Sequence, residues 1–448
     1  MPAIITDTFK KEVIQDLFND AYDSSEAGYY IGIGRSEVWD SADTPVTPVR
    51  ATRDERNFRL GLQSVKATSL VSFVVPRYNW VSGTIYSGYD DGTVGIPSNS
   101  YYVLTDNNAV YICLQQGKDA TGAAVPSVNK PTSSLTTPVT LADGYTWKLL
   151  YSISGVRSRR YLTANYHPIQ LQDATDSAST AIETEQYGIQ QAAVAGSISS
   201  IKVTAGGSGY TTAPTVAIVG NGTEAKAEAT ISGGSVVKID IIDSSGTFAM
   251  GSGYDYAGVN ITGDGSGAAA RAVIAPGDGF GADPRVDLKS SAIMYNAALA
   301  GTENGNFIIG QDFRQVALMK GLKQSTVDSD FTAASGSALK KLVLSSVSVQ
   351  FTGDNTILGA TSGAKGLIDR YDNTNEIIYY HQTEDTGFLQ FVNGEVISET
   401  DGSGSGIIDS ASLGDINIWS GDIHYLENRA AVERDAASTE DVKIVIQL

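Results

Sequence analysis

Ile198-Ser199-Ser200-Ile201-Lys202-Val203 returns as Val236-Val237-Lys238-Ile239-Asp240-Ile241, and Gly207-Ser208-Gly209-Tyr210 returns as Gly251-Ser252-Gly253-Tyr254. Gly220, Gly222, Ala225, Ala227, Ala229, Ile231 and Gly234 then map onto Gly263, Gly265, Ala268, Ala270, Ala272, Ile274 and Gly277, each 43 positions later. A second repeat lies further along the chain. Phe351, Ile357, Gly366, Ile368 and Asp369 recur as Phe391, Ile397, Gly406, Ile408 and Asp409, an offset of 40 at every position. Repeats of this length mark duplicated supersecondary units that bury their apolar faces against each other. Apolar residues alternate with polar ones and are separated by Gly-Ser, Asn-Gly and Gly-Gly turns, so the units are β, expected as small sandwich or prism-like modules.

Outward from the repeats, strand signals dominate. Tyr29-Tyr30-Ile31-Gly32-Ile33 is a short β run. Tyr101 to Leu104 and Ala109 to Leu114 flank Thr105-Asp106-Asn107-Asn108, which reads as a hairpin turn. Asp143-Gly144 opens a strand expected to put Tyr145, Trp147, Leu149, Tyr151 and Ile153 on one face. Val442, Ile444 and Ile446 alternate near the C-terminus. One good helix stands out: Asp7 as cap, then Phe9, Val13, Ile14, Leu17 and Phe18 at helical spacing. The fold class expected is mainly β with few helices, a β-rich α+β chain. Its β core is discontinuous, running over 1–195, 280–334 and 413–448. Two Gly-rich repeat modules, at 196–279 and 335–412, are inserted into it.

Composition narrows the function classes. The chain has 448 residues, 31 basic against 50 acidic, for a net charge of −19. That field repels phosphate backbones, so nucleic acid is not an expected partner. No apolar run approaches the roughly 18 residues that span a bilayer, so no membrane partner is expected either. Met1 to Val13 lacks a basic region followed by an apolar core, so no secretory signal is expected. The single cysteine, Cys113, lies in the apolar run Val110 to Leu114 and reads as a small buried hydrophobe; it excludes an internal disulfide. Two basic islands run against the acidic trend: Arg50, Arg53, Arg56 and Arg59, then Arg157, Arg159 and Arg160. They read either as solvated faces or as subunit contacts.

Five short words, each built on Arg or Trp, are scattered through the non-repetitive part. They are Gly34-Arg35-Ser36-Glu37-Val38-Trp39, Pro76-Arg77-Tyr78-Asn79-Trp80, Asp143-Gly144-Tyr145-Thr146-Trp147, Phe313-Arg314-Gln315 and Glu427-Asn428-Arg429. In this order they resemble the baseplate wedge proteins of T-even-like contractile-tailed phages, of the gene-product-eight type. The likeness covers roughly 1–190, 285–330 and 413–448; the family's characteristic member lacks both repeat modules. The resemblance implies a largely β virion subunit without enzymatic activity. It would be a homodimer in each wedge of the tail baseplate, contacting other wedge proteins and moving with them as a packed unit. Assembly would take place in the host cytoplasm. Arg35, Glu37, Trp39, Arg77, Trp80, Trp147, Phe313, Arg314, Glu427 and Arg429 are the structural or interface residues it singles out. An Arg beside Glu and Trp pairs, hydrogen-bonds and stacks, fixing a loop without a large local core. Pro76 fixes the chain before Arg77 and Trp80. The bland alternative is that these side chains brace the monomer and touch no partner. One departure is Ala430-Ala431, where the family has prolines, so the last loop is expected to be less rigid.

The chemistry-bearing patterns argue against catalysis, and no catalytic, metal, cofactor or small-molecule site is expected. Gly263-Asp264-Gly265-Ser266-Gly267-Ala268 approximates a dinucleotide fingerprint, but its duplicate alternates as a strand and no βαβ unit surrounds either copy. His167, His381 and His424 lack metal-ligand spacing. His167 reads as a strand-end residue, and His424, near Glu427 and Arg429, as part of a polar core or interface network. Acidic loops such as Asp401 to Gly406 lack a calcium-loop pattern. Two rivals stay open. One is a tail-fibre or receptor-binding protein whose Tyr210, Tyr254 and Tyr256 stack on host glycans; the other is a glycan-degrading tail enzyme.

Overall fold

A computed structural model describes residues 5–22, 28–49, 51–68, 70–176 and 178–448. It is mainly β: twenty-five strands and five α-helices among the described residues, the longest helix being Asp7–Tyr22. That helix is capped by Thr6, whose Oγ1 accepts from the Phe9 amide at 3.2 Å. The side chain of Asp7, the expected cap, lies outside the described residues, as does Arg50. The chain forms two compact units, Met1–Asp16 with Ser72–Ile293 and Ile446–Leu448, and Leu17–Val71 with Met294–Val445. Each contains one repeat module together with part of the remaining chain.

In the first unit, strands Tyr102–Leu104, Ala109–Gln115, Thr146–Ser152 and Val139–Thr140 make an antiparallel sheet in that order. The hairpin between the first two turns at Asn108, whose φ is +62°, with the Thr105 amide on the Ala109 carbonyl. Tyr145, Trp147, Leu149 and Cys113 pack into one core. Tyr151 leaves that face, contrary to the simple alternation. The ladder slips between Val110↔Tyr151 and Tyr111↔Leu149, so an extra residue reverses the parity of the strand. Tyr151 instead meets His167, which sits in strand Tyr166–Pro168.

In the second unit, the central sheet runs Ser335–Ser337, Leu62–Ala67, Tyr29–Gly34, Asp312–Lys320, Asp422–Glu433. Strand Tyr29–Gly34 is buried at every position because it is paired on both edges and covered on both faces. Tyr30, Phe58, Leu62, Val65, Met319 and Phe331 fill one face. Ala430-Ala431 lies within strand Asp422–Glu433, next to a register shift, and is not a loop.

The repeats yield two six-stranded bodies with one plan. The first has β1 (Ile198–Ser208), β2 (Thr215–Gly220), β3 (Ala227–Ser232), β4 (Ser235–Asp240), β5 (Ala257–Thr262) and β6 (Ser266–Ile274), ordered β4-β3-β2-β5-β6-β1. The second has β7 (Lys340–Val349), β8 (Thr356–Gly359), β9 (Lys365–Asp372), β10 (Ile377–His381), β11 (Val396–Glu399) and β12 (Ser405–Ser412). It closes as β7-β10-β9-β8-β11-β12, the same cyclic order with every label raised by six. Each body has a local two-fold. Ala217 pairs with Asn260, its own counterpart 43 positions on, while Lys340 pairs with Tyr380 and Leu358 with Ser398, each 40 positions apart. Strands are exchanged between copies: β3 pairs with β4, and β6 returns to β1. The second body is therefore a closed barrel, where a sandwich or prism was expected. In the first, β1 and β4 meet through the Ser235 hydroxyl on the Gly207 carbonyl at 2.8 Å and the Tyr210 amide on the Gly234 carbonyl at 3.0 Å.

The glycine words are explained by this exchange. A Cβ on Gly265 would lie 2.6 Å from the Tyr210 ring, and one on Gly222 would lie 2.4 Å from the Tyr254 ring. Each copy's tyrosine thus lies flat on the other copy's Gly-x-Gly turn, where only glycine leaves room.

Candidate functional site

Three of the five words meet in the second unit. Strand Tyr29–Gly34 ends where Gly34 crosses the Gly61 carbonyl so closely that a Cβ would stand 2.6 Å from it. Arg35 comes next with φ +62°, its amide bonded to that same carbonyl at 2.9 Å. A left-handed turn at a non-glycine residue is costly unless its surroundings enforce it. Here they do: the Arg35 guanidinium lies 4.1 Å over the Trp39 ring and donates to the Val38 carbonyl at 3.0 Å. Trp39 Nε1 donates to the Arg429 carbonyl at 3.0 Å.

Arg314 passes behind this loop, buried. It forks onto Asp43 (2.8 and 3.0 Å from Nε, 2.8 Å from Nη2), reaches Asp312 at 2.9 Å, and donates to the Ser36 carbonyl. A planar fork matched to a carboxylate is the geometry that favours Arg over Lys. Gln315 bonds Asn428 at 2.8 Å, and Asn428 reaches the Val46 carbonyl at 2.7 Å, joining the fourth and fifth words across adjacent strands. Phe313 is buried opposite Val432. Glu427 accepts from the Tyr425 hydroxyl at 2.9 Å. Arg429 thus enters the brace through its backbone.

The loop also holds the barrel. Ser36 Oγ donates to Asp369 Oδ1 at 3.0 Å; His381 Nδ1 meets Asp369 Oδ2 at 2.5 Å and its Nε2 meets Glu37 Oε1 at 2.9 Å. Gln63 closes the group on Asp369 at 3.4 Å. His381 and Asp369 are almost wholly buried. Burial alone would drive the imidazole toward neutrality, but the charges and hydrogen bonds of Asp369 and Glu37 overcome it and raise the pKa to about 10. Burial would likewise raise the Glu37 carboxyl, yet the His381 bond and charge hold it at about 2. The result is an imidazolium fixed between two carboxylates. With both ring nitrogens engaged it has neither a free lone pair nor a mobile proton, so it acts as a clamp and is not arranged as a general base.

The other two words meet in the first unit. Arg77 donates to Asn79 and to the Thr163 carbonyl, both at 2.8 Å. Trp80 Nε1 reaches Ser127 at 3.2 Å, and Asp143 Oδ2 gathers the Val128 and Asn129 amides at 2.9 Å and Ser127 Oγ at 3.3 Å. Trp147 is buried, stacked 5.9 Å from Tyr145. These side chains brace their own chain.

Several other expectations resolve locally. Arg56 pairs with Glu384 at 3.2 Å, Arg59 grips three carbonyls of residues 418–421, and Arg157 holds Ser72 and the Ile169 carbonyl at 2.7 Å. Arg56 and Arg59 of the first island are thus engaged within their own unit. His424 packs edge-on to Tyr29 at 5.5 Å, and the Tyr29 hydroxyl donates to Asp20 at 2.6 Å. Gly263-Asp264-Gly265 receives the Tyr210 ring, and the chain then continues as strand β6, where a dinucleotide site needs a helix. Tyr210 and Tyr254 are only 4% exposed, so the glycan-stacking surface of the tail-fibre reading reduces to Tyr256. Asp401 turns its carboxylate onto Ser403 and Asn355 of its own module. Among the described residues no group of three or more His, Cys, Asp or Glu is placed to hold a metal ion, and no helix is long and apolar enough to cross a membrane. Sequence reasoning missed Asp43, Asp312, Asp369 and His381. Asp369 registered only as a repeat marker, equivalent to Asp409. No protein-family model matches this chain, and no curated protein matches it.

Proposed function

We propose that this chain is a non-enzymatic structural subunit of a contractile phage tail baseplate wedge, a homodimeric adaptor between wedge proteins. The observation that supports it best is the convergence of Arg35, Trp39, Arg314 and Arg429 into one brace, with Trp39 and Arg429 joined across 390 positions. Most of its polar groups bond each other or loop backbone, Arg35 Nε being the buried exception, and His381 is locked by two carboxylates. Such an arrangement holds rigid surfaces in fixed relation, which suits an assembly component. The resemblance of the five words to the wedge family supplies the rest of the reading.

Deletion of the gene, with electron microscopy of the resulting particles, tests it. Tails lacking ordered baseplates are expected; normally assembled tails overturn the proposal. Light scattering of the purified chain tests the dimer, and a monomer at tens of micromolar overturns that part alone.

A further inference from the structure

The second unit carries an apolar groove that none of the five words touches. It encloses about 280 Å³ and is walled by Leu60, Leu62, Ala338, Leu413 and Ile416. Trp419 and Phe388 stand at its mouth, 57% and 52% exposed. An exposed tryptophan is costly to solvation and common at interface centres. This one is also pre-set. The Arg59 guanidinium holds the carbonyls of Ile418, Ser420 and Gly421 at 2.8, 2.7 and 2.7 Å. Asn417 Oδ1 accepts from the Trp419 amide at 3.0 Å, its carbonyl accepts the Ser420 hydroxyl at 2.6 Å, and Ser420 Oγ accepts from the Lys323 amide at 2.8 Å. The turn that presents the indole is thereby immobilised before anything binds, which removes ordering entropy from the cost of association.

Charge selects the occupant. In a chain of net charge −19, no Asp or Glu among the described residues lines this groove. Its cations are His381, already matched by Glu37 and Asp369, and Lys340, whose Nζ has, among the described residues, only the neutral Gln382 Oε1 at 2.6 Å. Burial pushes the Lys340 ammonium below its usual range. A half-buried ammonium that no described carboxylate reaches, beside an apolar slot, is complementary to a carboxylate flanked by an apolar side chain.

We infer that the groove bounded by Trp419, Phe388 and Lys340 receives an extended segment of a partner protein, which seats an aromatic or long aliphatic side chain against Trp419 and sets a carboxylate on Lys340. This deepens the adaptor reading and rests on it for the partner being a protein. The test uses the full chain carrying fluorotryptophan at its four tryptophans. The Trp419 fluorine resonance is assigned by its loss in Trp419→Phe. The probes are the blocked pentapeptide Gly-Phe-Asp-Leu-Gly and its forms with Asn or Lys in place of Asp. The acidic peptide is expected to shift the Trp419 resonance saturably, the lysine form to bind about tenfold more weakly or worse, and Lys340→Met to level the two while leaving the thermal midpoint in place. No shift at millimolar acidic peptide overturns the inference, as does equal binding of the acidic and lysine forms. A change of oligomeric state in Trp419→Ala, read by light scattering, assigns the groove to a second copy and overturns it too. Because binding is read on the isolated protein, its failure removes this surface and leaves the wedge assignment standing; normal tails after gene deletion do the reverse.

Discussion

The two six-stranded bodies share one strand order and one exchange of strands between copies, but they are held to their surroundings by opposite means. The barrel is anchored through Asp369 and His381, both almost wholly buried, to Ser36 and Glu37. The first body is anchored at its rim. Asp90 takes Lys202 and Arg271, Asp91 takes Arg271 at 2.6 Å, and the two cationic side chains remain 46% and 39% exposed. Gln115 on Asp240 at 2.6 Å adds one further bond. Their interiors differ in step. The barrel is packed with Leu, Ile, Phe and Tyr, whereas in the first body Ala225, Ala227, Ala229, Ala268 and Ala270 line much of the half-buried interior. Topology is therefore set by where the glycine turns fall, and anchoring is a separate property added by a few side chains.

The comparison breaks most visibly at Asp369. Asp369→Ala leaves a buried imidazole with half its counter-charge and is expected to cost about 3–5 kcal/mol in chemical denaturation. The loss should be nearly unchanged in high salt, because buried pairs are poorly screened. A loss below about 1 kcal/mol would mean that the barrel docks through apolar contacts alone.

The pH profile sharpens the same contrast. The His381 pKa is raised from 6.5 to about 10, so its contribution is complete below pH 6.5 and drains away as pH rises toward 10. The Glu37 pKa is lowered from 4.5 to about 2, so its contribution is complete above 4.5 and is lost as pH falls toward 2. The Asp90 carboxyl is also held low; burial opposes this, but Lys202 and Arg271 outweigh it, and this carboxylate's contribution is lost as pH falls. Denaturation midpoints measured at pH 6 and pH 10 should therefore fall on the alkaline side in the native chain and fall less in Asp369→Ala. Equal slopes would refute the clamp.

Two smaller effects test the internal symmetry and the rim. Gly222→Ala and Gly265→Ala place matching methyl groups against Tyr254 and Tyr210. Each should cost about 1–3 kcal/mol, and the two losses should be similar; a large inequality would show that the copies are not equivalent. Asp90→Asn should cost about 1 kcal/mol or less, because its partners are solvated, and the difference should shrink as salt rises. A salt-independent loss would place this anchor in the same class as the buried one.

Much of the fold is legible in the residues. The fold class comes from two-residue alternation and turn composition, and so do the repeat units, since both signals are local. The offsets of 43 and 40 reappear unchanged as register pairs because a two-fold must bring each residue opposite its counterpart. The failures have one character. Alternation alone puts Tyr151 on the wrong face, because a bulge in the ladder is a property of two strands. Taken singly, Tyr210 and Tyr254 look like solvent-facing stacking rings, yet the other copy's glycines cover them. The five words are visible as words, but the sequence does not divide them three and two between the units.

Asp369 and Asp409 mark the boundary most clearly. They are the same residue at the same place in the repeat, yet one is buried against His381 and the other is exposed. The sequence by itself determined strands, turns and the duplication, because backbone propensity and side-chain alternation act between near neighbours. Only the tertiary structure decided which copy's carboxylate became an anchor, because burial and charge pairing depend on residues that arrive from hundreds of positions away.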